Sequence, residues 1–297
     1  MRFKPEGIIS AMVTPFTKGG TYVDFDKVGP LAQWLAKHGA NGLFPCGTTG
    51  ECMLMSDDER KEVLEEVVAA VGKTNQVVAH VGAFDTATTI ELAEHAAASG
   101  AHACAVVAPG YFAYDDKALK AHFKSVAKAV DGFPVLLYNI PSCARNSISD
   151  DLIIDLAESV DNIVGLKDSS GNMVHLSKVM GRAPKGFHVI NGVDEYGYQA
   201  FAMGTKAAVS GSFNVTLERY ANVYKYAAKG DMKRAWKAQT ELTKACGVLL
   251  YGGMASVFKE GMRLRGFDAG YVRPPQRELS AAEKRNLAKN MEAIGLI

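Results

Sequence analysis

Residues 133–169 read FPVLLYNIPSCARNSISDDLIIDLAESVDNIVGLKDS, and this stretch decides the fold class. Two short apolar runs, 133–140 and 163–169, flank a segment at 149–159 whose apolar residues recur at helical spacing. Strand, helix, strand in that order implies parallel strands joined by a right-handed crossover. The unit recurs in both directions along the chain. Strand runs at 7–16, 42–47, 76–82 and 103–109 precede it, each followed by a helical segment, at 24–38, 56–71, 85–99 and 116–130. A helical segment at 172–180 follows the quoted stretch. Strand runs at 188–193 and 207–212 come next, with helical segments at 194–203 and 217–228. Eight strand–helix units within about 230 residues are what a closed (β/α)8 TIM barrel requires.

Beyond Asp231 the chain reads as helices alone, at 231–250, about 254–265 and 280–294, broken by Gly252-Gly253 and Pro274-Pro275. The expected organisation is therefore a catalytic barrel over 1–230 with a C-terminal helical segment, 231–297, packed on it. The rival architecture, an open doubly wound sheet, usually announces a nucleotide with G-x-G-x-x-G after its first strand. Here that strand ends in TPFTKGG.

Composition narrows the function without choosing it. The chain has 297 residues, 48% hydrophobic and 22% charged, with a formal net charge of +1. That balance gives no electrostatic reason to expect nucleic acid or an anionic membrane as partner. No apolar run reaches the roughly 18 residues of a spanning helix. The N-terminal MRFKPEGIIS lacks the apolar core of a signal peptide. Five scattered cysteines form no C-x-x-C pair, and the seven histidines show no ligand spacing. A cytoplasmic protein without a metal is expected.

In a parallel barrel the functional groups stand where the strands end. Those positions hold Thr14-Pro15, Gly47-Thr48-Thr49-Gly50-Glu51, Tyr111, Tyr138-Asn139 and Lys167-Asp168-Ser169. Gly192 with Asp194-Glu195, and Ser210 with Ser212, complete the rim. Polar residues collecting at one rim are the pattern of an enzyme. Lys167 is the sharpest feature, an amine at the end of a strand that the sheet buries on both faces. Burial disfavours the ammonium and leaves a neutral nucleophile near pH 7, able to form an imine with a carbonyl substrate. Position alone equally allows a lysine turned into solvent. Tyr138 ends the preceding strand and can relay protons in the same cavity, or can be a core tyrosine with a satisfied hydroxyl. The 47–51 turn offers hydroxyls and amides to a carboxylate. By itself it is a weak signal, because glycine-flanked threonines are common in turns. Asp194 opens a helix, where capping is its routine role, and substrate contact is the secondary reading for it and Glu195.

Taken together, these residues resemble the dihydrodipicolinate synthase / N-acetylneuraminate lyase family of class I pyruvate-dependent aldolases, over essentially the whole chain. The matching pieces run in order: TPF at 14–16, GTTGE at 47–51, Pro109-Gly110-Tyr111, YNIP at 138–141, GLKDS at 165–169. Gly192 to Glu195, GSFN at 211–214 and RPP at 273–275 follow. The resemblance implies that Lys167 forms the imine and Tyr138 shuttles protons. It implies that Thr48 and Thr49 hold the 2-oxo acid carboxylate, Thr49 also linking to Tyr138. Tyr111 resembles a tyrosine that enters the active site of a neighbouring subunit, implying a homo-oligomer, a tetramer built as a dimer of dimers. No metal or organic cofactor is implied.

The second substrate divides the family. The synthases usually carry an arginine two residues after the proline of Y-N-x-P, and here Cys143 stands in that place. A thiol cannot supply the bidentate fork that pairs with a carboxylate. Arg145 substitutes from two residues further on only if the loop is rebuilt. Asp194-Glu195 and Gly211-Ser212 resemble the side of the family that handles polyhydroxylated chains, whereas GTTGE resembles the synthases. The favoured expectation is an aldolase acting on a 2-oxo-3-deoxy sugar acid or a 4-hydroxy-2-oxo acid. The alternative is 4-hydroxy-tetrahydrodipicolinate synthase, joining pyruvate and aspartate semialdehyde. A metal-dependent aldolase needs clustered ligands at strand ends, where His80 stands alone. A catalytically silent 2-oxo acid binder would be expected to have lost the lysine or the tyrosine.

Overall fold

The computed structural model describes residues 3–249 and 254–297. Eight parallel strands close into a barrel in chain order: β1 (Gly7–Ala11), β2 (Gly42–Phe44), β3 (Gln76–His80), β4 (Ala103–Val107), β5 (Val135–Asn139), β6 (Ile163–Asp168), β7 (His188–Asn191) and β8 (Ala207–Ser210). The ring closes where Ile9 of β1 stands opposite Val209 of β8. Outside lie α1 (Phe25–Lys37), α2 (Asp57–Val71), α3 (Thr86–Ala98), α4 (Asp116–Ala129), α5 (Pro141–Ala144), α6 (Asp150–Ser159), α7 (Met173–Arg182), α8 (Gly197–Met203), α9 (Phe213–Thr216) and α10 (Glu218–Ala228). The C-terminal helices are α11 (Met232–Leu249), α12 (Met254–Leu264) and α13 (Ala281–Ala293). The barrel and C-terminal helices of the sequence reading are both present.

Local chemistry fixes where the outer helices begin. Ser56 and Glu59 form a capping box ahead of α2, as Ser280 and Glu283 do ahead of α13. Asp85, Asp115, Ser149 and Asn172 each accept from a first-turn amide of the helix they precede. Runs such as ACAVV and VLLYN are buried along their whole length because helices cover one face and the packed interior the other.

Several boundaries differ from the sequence reading. β1 stops at Ala11 rather than 16. The apolar run continues because Met12, Val13 and Phe16 are buried, with Phe16 bridging antiparallel to Val23 and Tyr271. β2 is only three residues long, and Cys46, in the left-handed region (φ 56), turns the chain into the GTTGE loop. The segment expected to be one helix from 194 opens as a 3-10 turn at Asp194–Tyr196. The helix expected over 217–228 is present as α10, and the short turn α9 ahead of it, set off by Leu217 (φ 31), was not expected. The break expected at Gly252-Gly253 lies outside the described residues. Among the described residues, no helix is long and apolar enough to cross a membrane.

Candidate active site

Strand register brings the two principal side chains together. Tyr138 of β5 stands opposite Lys167 of β6, and Asn139 opposite Asp168. Because side chains alternate along a strand, Lys167 and Tyr138 enter the barrel while their successors face the other way. Those successors bolt the two strand ends together: Asn139 Nδ2 donates to Asp168 Oδ1 at 2.8 Å, and Ser170 Oγ donates to Oδ2 at 2.8 Å.

Lys167 is 4% exposed and does not turn into solvent. Its Nζ lies 3.5 Å from the centre of the Tyr138 ring and 4.4 Å from that of Phe44. The ring faces favour the ammonium, but among the described residues no carboxylate pairs with it. Burial dominates and pulls its pKa down to about 7, against smaller opposing effects of Cys52, Asp194 and Cys143. Tyr138 is also buried, and burial pushes its hydroxyl well above the ordinary phenol range. The phenol is thus a proton donor at neutral pH beside an amine close to neutral.

The hydroxyl facing Tyr138 belongs to Thr48, with Oγ1 3.4 Å from the phenol oxygen. This corrects the expectation that Thr49 makes that link. Thr49 points elsewhere: its Oγ1 sits 2.6 Å from where a Cβ on Gly211 would stand, so only glycine fits at 211. The turn carrying both threonines is pinned by Thr14 Oγ1 donating to Gly50 O at 2.8 Å and by Glu51 N donating to Thr48 O at 3.1 Å. Opposite them, Ser169 Oγ donates to Gly192 O at 3.3 Å. A Cβ on Gly192 would come within 2.0 Å of Ser169 Oγ.

Lys167, Tyr138, Thr48, Thr49, Asp194 and Ser212 line one cavity of about 230 Å³, with Gly192 and Glu195 in the same wall. Asp194 Oδ1 is buried without a partner. Burial raises the Asp194 pKa to about 6, and the hydroxyls of Ser212 and Ser210 restrain that rise. A second chamber of about 610 Å³ shares Thr48, Ile140 and Cys143 with the first and extends to Tyr111, Arg145 and Gln276. Tyr111 is 75% exposed, with φ 71, and lies outside the Lys167 cavity of its own chain. The loop after β5 is not rebuilt toward Lys167. It forms the single turn α5 with Pro141 at its start, and Arg145 (φ 65) caps that turn and faces the outer chamber.

The sequence reading missed the far wall. Cys246 and Leu249 of α11 and Phe258 of α12 close the Lys167 cavity, and Pro275 and Gln276 border the outer chamber. Cys246, Leu249 and Phe258 sit on helices outside the strand–helix repeat, where no motif marks them, and Pro275, although part of the RPP match, had no place in the expected site. His80 is buried, and its Nδ1 lies 2.8 Å from Cys46 O, which places the proton on Nδ1 because a carbonyl only accepts. Among the described residues, no three His, Cys, Asp or Glu side chains converge to share a metal ion.

Residues 4–294 match the model of the dihydrodipicolinate synthetase family. The chain is 31% identical over 295 residues to a 4-hydroxy-tetrahydrodipicolinate synthase of Thermoanaerobacter sp. (strain X514), covering 99% of this chain and 98% of the relative. It is 34% identical over 291 residues to an uncharacterized DapA-like lyase of Halobacterium salinarum, covering 98% and 94%. The crystal structure of dihydrodipicolinate synthase from Aquifex aeolicus superposes with a TM-score of 0.92 at 30% identity, covering 98% of each chain. YagE from E. coli K12, a prophage protein of the dihydrodipicolinic acid synthase family solved in complex with pyruvate, gives 0.93 at 28% identity, covering 98% and 99%.

Proposed function

The chain belongs to the dihydrodipicolinate synthetase family of class I aldolases and lyases, and we propose that it makes or breaks a carbon–carbon bond between pyruvate and an aldehyde through an imine on Lys167. The observation that carries this reading is the buried amine with a pKa of about 7, stacked on the ring of a protonated phenol in one cavity.

In the cleavage direction, the Lys167 lone pair adds to C2 of the 2-oxo acid. Tyr138, in line with Thr48, delivers the proton with which the C2 oxygen leaves as water. The protonated imine then accepts the electron pair of the C3–C4 bond as the Tyr138 phenolate left by the first step takes the proton of the C4 hydroxyl, which becomes the aldehyde. Protonation of the resulting enamine at C3, and hydrolysis, release pyruvate and the free amine. The turn at Thr48-Thr49 receives the substrate carboxylate. No metal or organic cofactor takes part in this scheme.

The favoured substrate is a 2-oxo-3-deoxy sugar acid or a 4-hydroxy-2-oxo acid, because Asp194, Glu195 and Ser212 give the cavity acceptors for hydroxyl groups. The synthase alternative is supported by the names of the relatives. Against it stands the placement of Arg145 in the outer chamber, away from Lys167. The exposed Tyr111 at that chamber suits a homo-oligomer in which a neighbour's tyrosine completes the site, and a tetramer of paired dimers in the cytoplasm fits the family resemblance.

Incubation with pyruvate and borohydride tests the proposal directly. Mass spectrometry is expected to find one reduced pyruvate per chain, on the peptide holding Lys167. Adduct formation should rise with pH through about 7 and then level, since the amine is protonated below that value and free above it. Absence of any adduct, with pyruvate or larger 2-oxo acids, would leave only a silent 2-oxo acid binder.

Asp194→Asn separates the two substrate readings. An amide cannot accept hydroxyl protons on both of its terminal atoms, so KM for polyhydroxylated 2-oxo acids is expected to rise about ten-fold or more. Trapping of pyruvate itself should hardly change. Equal losses for short and polyhydroxylated substrates would remove Asp194 from contact with the hydroxyl chain.

A further inference from the structure

Two pieces of the sequence pattern have no part in the imine chemistry: the glutamate that ends GTTGE and the RPP stretch near the C-terminus. The fold brings them together. Glu51 and Lys259 are 3% and 2% exposed. Lys259 Nζ donates to Glu51 Oε1 at 2.7 Å, across 208 residues of chain, and to Tyr271 O at 2.5 Å. The other carboxylate oxygen of Glu51 accepts from the backbone N–H of Arg273 at 3.0 Å. Both cations lie over the Phe16 ring, Lys259 Nζ at 4.7 Å and Arg273 Cζ at 4.4 Å.

Glu51 itself sits in the left-handed region, φ 61, where a side chain is disfavoured and persists only if held by its surroundings. That conformation lets its backbone N–H turn back onto Thr48 O. The preceding residues, Thr48 and Thr49, are the pair presented to the Lys167 cavity. A glycine would adopt the same backbone at lower cost but would have no carboxylate for Lys259 to grip. A charged residue retained in a glycine's conformation, fully buried and fully paired, points to a role in fixing the turn rather than merely permitting it.

We propose that the buried Glu51–Lys259 pair is a positioning device that sets the Thr48–Thr49 turn to receive the carboxylate of the 2-oxo acid. The proposal rests on the imine reading above. Its consequence is that α12, outside the strand–helix repeat, controls how well the barrel binds pyruvate. The side chain of Arg273 has a separate task. Its guanidinium donates to Gly20 O, Thr21 O, Leu54 O and both oxygens of Glu59, anchoring the loops around the first strand.

The test compares pyruvate trapping by borohydride in the wild type, Glu51→Gln, Lys259→Met, the double variant and Arg273→Lys, with the thermal midpoint measured on each. In the first three variants the pyruvate concentration for half-maximal trapping is expected to rise ten-fold or more, with the limiting trapping rate kept within about threefold. Arg273→Lys keeps the backbone N–H on Glu51 but loses the guanidinium fork. It should lower the thermal midpoint without moving the pyruvate requirement. A shift in half-saturation shared equally by Arg273→Lys, or absent from all the variants, would make the pair a structural weld only. Should Lys259→Met not fold, Glu51→Gln carries the same comparison within an unchanged side-chain outline. A wild type that traps no pyruvate would instead remove the imine reading itself.

Discussion

Lys167→Ala is expected to abolish turnover and the borohydride adduct together, while the barrel stays folded. Without the amine no imine forms, and the electron sink that accepts the C3–C4 bond is lost, so other cavity groups offer no slower version of the same path. Turnover is measured by release of pyruvate and folding by circular dichroism. Wild-type rates in the variant would sink the mechanism. Stability adds an independent arm, read with Lys167→Met, which refills the space. The amine has its ordinary value near 10.5 in the unfolded chain and about 7 when buried. Between those values the unfolded chain binds more protons, so the wild type gains stability as pH rises through that window, and below pH 7 it carries the full cost of burying the charge. That cost is on the order of several kcal/mol. The methionine variant should therefore be more stable than wild type at pH 6, with the difference shrinking toward pH 10.

Tyr138→Phe is expected to lower kcat by roughly 10²-fold or more. The substitution removes one oxygen and keeps the ring on which Lys167 rests, so the amine stays buried and the loss is specific to proton transfer. Borohydride should still trap pyruvate, more slowly, because water can carry the proton less efficiently. Single-turnover measurements separate the two effects. If kcat is unchanged, the proton passes through another group, and Thr48, 3.4 Å from the phenol oxygen, is the first to examine.

The elements easiest to read were those whose pattern repeats. Periodic apolar runs gave eight strands in order, and Lys167 and Tyr138 could be placed because a strand's end in a barrel has a known destination. The reading failed where conformation departs from the repeat. Cys46 and Glu51 occupy left-handed backbone that no periodicity signals, so the course of the GTTGE turn, and which threonine meets the phenol, were hidden. Arg145 was a candidate by proximity in sequence, but one helical turn at Pro141 redirects it to the outer chamber. Phe258, Cys246 and Lys259 were invisible for another reason: they sit on helices beyond the repeat, Lys259 meeting Glu51 across 208 residues of chain, and a single sequence carries no trace of such contacts.

Division of labour between strands and tail has a consequence for how such a chain can diverge. The reaction head, Lys167 with Tyr138, is built into β5 and β6, whose register leaves little room for change. The remaining walls come from two places: Asp194, Glu195 and Ser212 after β7 and β8, and Leu249, Phe258, Pro275 and Gln276 in the stretch after the repeat. Grafting the stretch after the repeat from a relative is thus a modular way to reshape those outer walls while leaving in place both the bond chemistry and the hydroxyl acceptors at Asp194, Glu195 and Ser212. The graft must bring its own lysine and arginine at positions 259 and 273, or the transplanted tail will arrive without the fastenings that seat it on the recipient barrel.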